Sequence, residues 1–197
     1  MVGQQYSRSG QVRVAQYLTA VPWVFTVNPH EFLYYPQVRD VIQAIDNADR
    51  QNPETITFNT SNLNWFTNYQ GELTTAQANA LTLDSVPVAN SQTLSIGNLP
   101  AVTSTTIVFK AGDFLQLGDY VYKITANVLR GVLSTIDVNI HRPVIGTPIT
   151  GTLTAVGAAV YFKVVAENCP TYTLSPMTNG AFVRWDGAFV FREYITG

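Results

Sequence analysis

The chain has 197 residues, 46% of them hydrophobic and 12% charged, with a formal net charge of −2; the charged share is about half that of an ordinary soluble domain, roughly 25%. This composition excludes an intrinsically disordered chain, which needs low hydrophobicity and high net charge. It also argues against a basic nucleic-acid-binding surface, which gains affinity by releasing counterions from phosphates.

Taken in chain order, the first ten residues are polar (Gln4, Gln5, Ser7, Arg8, Ser9) and show no apolar core of a secretory signal. Pro22 to Val27 reads as a strand carrying Trp23. Pro36 then suits the first turn of a helix over about 37–50. Val38, Val41, Ile42 and Ile45 recur at i, i+3, i+4 and i+7, with Arg39, Asp46 and Arg50 facing outward. Glu54 to Phe58 reads as a strand. Between about Thr74 and Thr105 the only ionised residue is Asp84; this low-charge excursion (74–104) reads as a connection, parts of which form strands or an arm reaching a neighbour.

Further strands are expected at Leu94 to Ile96, Thr105 to Phe109, Phe114 to Leu117, Tyr120 to Ala126, Ser134 to Ile140 and Ala159 to Ala166. Two tight hairpins stand out. Gly118-Asp119 separates Phe114–Leu117 from Tyr120–Ile124, and Asp186-Gly187 separates Phe182–Trp185 from Ala188–Phe191. Many short strands with turn signals between them imply a mainly β fold, a sandwich or barrel with one short amphipathic helix. The expected division is at 104/105, with the helix and the excursion in the first domain and a small antiparallel β-barrel or sandwich in the second. No run approaches the ~18 apolar residues of a membrane span, so no membrane insertion is expected.

The sequence holds no phosphate-binding loop, dinucleotide fingerprint, nucleophile elbow or HExxH zinc motif. His30-Glu31 lacks a second histidine at helical spacing, and His141 ends a strand beside Arg142-Pro143. Asp113 and Asp119 each follow a glycine, a placement that suits turn capping more than the paired carboxylates of a glycosidase. Cys169, the single cysteine, allows no internal disulfide, and its default state is a buried inert thiol. No catalytic residue, cofactor or metal ligand is therefore expected. The aromatics Trp23, Trp65, Phe66, Tyr69, Trp185, Tyr34 and Tyr35 are the better recognition candidates, set against core packing for most of them. Thr, Asn, Gln and Ser take the place of the missing charges, and covering such groups at a contact costs less than covering ions.

One stretch carries a resemblance. Phe109-Lys110-Ala111-Gly112-Asp113-Phe114, the turn at Gly118, Tyr120-Val121-Tyr122-Lys123-Ile124-Thr125, Arg130-Gly131 and Asp137 to Pro143 together resemble a module of tail proteins of tailed bacteriophages. Asn64-Trp65-Phe66 to Tyr69-Gln70-Gly71 is similar to a pattern in tube-proximal baseplate proteins. The resemblance implies a non-enzymatic virion subunit of the tail, folded and assembled in the host cytoplasm. It would stand in the baseplate or at the tube–baseplate junction, with residues 1–104 tail-tube-like. Its partners would be copies of itself in a ring and other tail, baseplate or tube proteins; DNA would pass through a lumen without sequence-specific binding. Gly112, Asp113, Gly118 and Arg142 carry over as module-defining positions, and Trp23, Trp65 and Tyr69 remain as interface or recognition aromatics. The competing readings are a carbohydrate- or receptor-binding β-module and a neck or collar connector.

Overall fold

The computed structural model describes residues 2–6, 12–16, 21–30, 33–47, 52–60, 62–88, 90–151, 153, 155–177 and 180–195. In chain order the elements are β1 (Val2–Tyr6), β2 (Val12–Gln16), β3 (Val24–Val27), β4 (Leu33–Tyr34), α1 (Tyr35–Asn47), β5 (Glu54–Thr57), α2 (Thr75–Asn79), β6 (Thr82–Leu83), β7 (Thr93–Gly97), β8 (Ile107–Phe109) and β9 (Phe114–Leu117). They continue as β10 (Tyr120–Lys123), β11 (Val128–Leu129), β12 (Ile136–Asn139), β13 (Ala155–Val156), a 3-10 turn at Gly157–Ala159, β14 (Tyr161–Asn168), β15 (Tyr172–Met177), β16 (Gly180–Trp185) and β17 (Phe189–Glu193). The fold is mainly β, with one helix of more than two turns, as the strand spacing predicts. The chain divides into two compact units: Ile56–Phe162 with Met1–Val21, and Pro22–Thr55 with Lys163–Thr196. The cut at 104/105 drawn from the sequence falls inside the first unit, between β7 and β8.

In the first unit, short antiparallel ladders (β10-β9-β13, β11-β8 and β12-β7-β6) surround one core. Leu94, Ile96, Val108, Phe109, Leu115 and Val138 are fully buried in it. The hairpin at Gly118-Asp119 forms as its turn chemistry predicts: Leu117 pairs with Tyr120, and Gly118 takes a φ of +58° that only glycine adopts without strain. Parts of the low-charge excursion form strands, one of the two outcomes expected of it. Thr74 and Gln77 make a reciprocal capping box for α2, β6 and β7 pair with each other, and Ala78, Leu81, Leu83, Leu94 and Ile96 are buried. Burial does not extend along the whole stretch: Val86 and Val88, between β6 and β7, are 56% and 80% exposed.

In the second unit, the sheet β3-β17-β14-β5 and the sheet β15-β16-β4 accompany α1, which packs beside β16 and β4. The helix starts two residues earlier than expected, with Pro36 in its first turn, and ends at Asn47; Arg50 lies outside the described residues. A second correction concerns Asp186-Gly187. The strands on either side of it do not pair with each other: β16 joins β15 and β4, whereas β17 joins β14 and β3. The two residues turn a corner between sheets. Asp186 N donates to Thr171 O, and Thr171 Oγ1 donates to Asp186 Oδ2, so the aspartate closes the β15–β16 ladder instead. Across the corner the Trp185 and Phe189 rings meet at 4.8 Å between centroids. Among the described residues, no helix is long and apolar enough to cross a membrane.

Candidate functional site

The residues carrying the resemblance assemble around Asp113. Lys110-Ala111-Gly112-Asp113 is a turn in which Asp113 N donates to Lys110 O at 3.0 Å and Lys110 N returns a hydrogen bond to Asp113 Oδ2 at 2.8 Å. Gly112, at φ +102°, aims its N–H at Ile124 O, and Ile124 N donates to Asp113 O, both at 2.8 Å. The turn is thereby tied to the end of β10. The other carboxylate oxygen, Oδ1, accepts from Gln70 N, 43 residues away in sequence, at 2.8 Å, so the two motifs share one side chain.

Tyr69 completes the junction. Its hydroxyl donates to Val108 O and its ring meets Phe109 edge-on at 6.3 Å. A Cβ on Gly71 would collide with that hydroxyl and with the Val108 carbonyl, which explains the glycine at the end of the Trp65 to Gly71 motif. Burial pushes the Tyr69 phenol up to about 12, with the charges of Asp113 and Glu72 adding to the shift. Burial likewise raises the Asp113 carboxyl above its ordinary range, while the N–H groups of Lys110, Gln70 and Gly71 pull it back. A carboxylate whose two oxygens are each held by backbone N–H groups acts as a turn cap, as the glycine before it suggests.

The third part of the module joins from the side. Ile124 bridges Ile140, His141 N donates to Lys123 O, and Lys123 N donates to His141 Nδ1 at 3.0 Å. Burial, with the adjacent Arg142 and Lys123 charges, lowers the His141 pKa to about 4 against the opposing pull of the backbone hydrogen bond to Lys123, so the ring is neutral near pH 7. The buried Arg142 guanidinium lies 5.2 Å from the Tyr122 ring centre; Nη2 donates to Val121 O at 2.8 Å and Nη1 to Val21 O at 3.1 Å. Gln116, not singled out from the sequence, is fully buried: its Nε2 donates to Gly118 O and its Oε1 accepts from Tyr161 N. The only hint was a polar residue amid the apolar run of β9.

The recognition aromatics part company. Trp65 is 73% exposed on a turn at 62–67 where Leu63 N and Asn64 N both donate to Thr60 O. The next residue, Phe66, anchors that turn against the Phe58 and Phe114 rings at 5.2 and 5.0 Å. Trp65 is thus held outward on a fixed support. Tyr69 is committed inward. Trp23 belongs to the second unit, half-buried, its N–H donating to the buried Glu193 Oε2 at 3.0 Å and its carbonyl accepting from Glu193 N.

The second unit also holds an apolar cavity of about 350 Å³ beneath α1, lined by Val38, Val41, Ile45, Trp185, Phe189 and Phe191 among others, with Cys169 on its wall. Of α1, only Ile42 is buried. Among the described residues, no three His, Cys, Asp or Glu side chains gather as a metal site would require. No family model and no curated protein matches the chain.

Proposed function

We propose that this protein is a non-enzymatic structural subunit of a phage tail, in the baseplate or at the tube–baseplate junction, working through ring-forming contacts with copies of itself and with neighbouring tail proteins. The observation that carries the reading is the Asp113 junction. The residues that resemble the tail-protein module form turns and the short strands beside them, with Asp113 joining Lys110 to Gln70. A module used for shape in this way suits a subunit whose function is to fit its neighbours. The sparse charge, 12% of residues, agrees with a surface meant to be covered, since uncharged polar groups are desolvated at lower cost than ions. In a ring, one patch of each copy meets a different patch of the next. Proteomics and immunogold microscopy of purified particles from the host strain test this: the chain is expected in the tail at a fixed copy number, and its absence from particles overturns the proposal.

A receptor- or carbohydrate-binding role is favoured by one feature, the outward Trp65 on its braced turn. Exposed indoles stack on sugar faces or anchor protein partners. On a glycan array, binding that vanishes in Trp65→Ala would support that role, and no binding by the wild-type chain would remove it.

A further inference from the structure

The loop joining β11 to β12 presents Val132 and Leu133 to solvent at 88% and 69% exposure. Loops that project into water are ordinarily polar, and this one is also braced from below. Arg130 N donates to Thr106 O at 2.8 Å and Gly131 N to Ser104 O at 2.9 Å. The Arg130 guanidinium donates from Nε to Pro100 O at 3.0 Å and from Nη1 to Leu133 O at 2.7 Å. The arginine therefore fixes the loop from inside while two aliphatic side chains stand at its tip. Holding apolar groups in place at a loop tip preorganises them for a contact, removing its ordering cost in advance.

The same chain carries a matching receptor. The cavity beneath α1 is almost wholly apolar and about 350 Å³, at the small end of the ~300–1,000 Å³ range of ligand pockets. Val41 lines it and is 59% exposed, so the cavity opens toward water. A knob and a hole of like polarity on one molecule, with a net charge of only −2 to oppose association, describe a heterologous contact.

We propose that the Val132–Leu133 tip of one copy seats in the cavity beneath α1 of the next. This names the contact behind the ring of the preceding section and rests on that reading. Because the two patches differ, each seated copy leaves one free knob and one free hole, and the contact propagates until rotation closes it.

Cys169, the chain's only cysteine, lies on the cavity wall and serves as a reporter. A disulfide forms only when the two Cα atoms come within about 7 Å. The purified full chain carrying Leu133→Cys, oxidised at high concentration, is therefore expected to give a ladder of dimers, trimers and larger species on a non-reducing gel. Adding Cys169→Ser should abolish the ladder. In analytical ultracentrifugation, Leu133→Asp and Val41→Asp, both exposed positions checked for folding by circular dichroism, should each weaken self-association tenfold or more, as loss of a central apolar anchor does. A crosslink that survives Cys169→Ser, the absence of any ladder, or unchanged association in both aspartate variants overturns the contact. A chain that is found in particles yet gives no ladder removes this contact alone. A ladder from a chain absent from particles keeps the contact and removes the tail assignment.

Discussion

The two units dispose of their apolar residues in different ways. In the first, strands as short as two residues are locked together because Phe109, Leu115, Ile96 and Val138 close on one another, and the polar groups caught among them are paired: Gln116 with Gly118 and Tyr161, Asp113 with Lys110 and Gln70. In the second, a helix with an apolar stripe buries only Ile42, and the rest of the stripe borders an open cavity. An amphipathic helix is stabilised by what covers its apolar face. The difference indicates where the molecule is self-sufficient and where it has surface left to offer.

That contrast gives an ordered set of tests by urea denaturation. The largest effect is expected in the closed core. Phe114, whose ring meets Phe66 at 5.0 Å and Phe162 at 6.3 Å, should cost about 3–5 kcal/mol on truncation to alanine. Asp113→Ala comes next, about 3 kcal/mol, because it leaves the Gln70 and Lys110 N–H groups without their charged acceptor. Ile42→Ala in the second unit should cost about 2 kcal/mol, the low end for its type, since the cavity already stands beside it. A cost for Ile42 equal to that for Phe114 would erase the contrast.

The smallest effect is the sharpest in pH. Tyr69→Phe loses one hydrogen bond to Val108 O, about 1 kcal/mol. In the wild type the folded state keeps the Tyr69 proton up to about pH 12, whereas the unfolded chain releases it near the ordinary value of ~10. The folded state therefore binds more protons in that window, and stability falls as pH rises from about 10 through about 12. Denaturation midpoints across that range should show this decline in the wild type and a shallower one in Tyr69→Phe.

The sequence was most legible where one stretch of chain settles the outcome. The Gly118-Asp119 hairpin follows from glycine at the first turn position, and the start of α1 from Pro36 and the i, i+3, i+4 spacing. Asp186-Gly187 carries an equally local signal and misleads, because β17 pairs with β14 and β3 while β16 pairs with β15 and β4, partners that no local pattern specifies. For residues 74–104 the sequence left strands and an arm both open, because scarcity of charge is shared by the two, and the burial of Leu83, Leu94 and Ile96 shows the strands. The two halves of the candidate site were each visible as motifs. Their meeting through Asp113 was not, since nothing in a linear pattern specifies which distant backbone N–H a carboxylate will accept.

By itself, then, the order of residues determined the β-rich class, the single longer helix and the turn role of Gly112, Asp113 and Gly118, all consequences of backbone conformational preference and local hydrogen bonding. Tertiary structure alone decided which strands pair, that Arg142 and Gln116 are buried with partners, that Trp65 faces water while Tyr69 does not, and that a braced apolar tip and an apolar cavity occur on one chain. Those outcomes depend on which surfaces exclude water together, and that is a property of the packed chain.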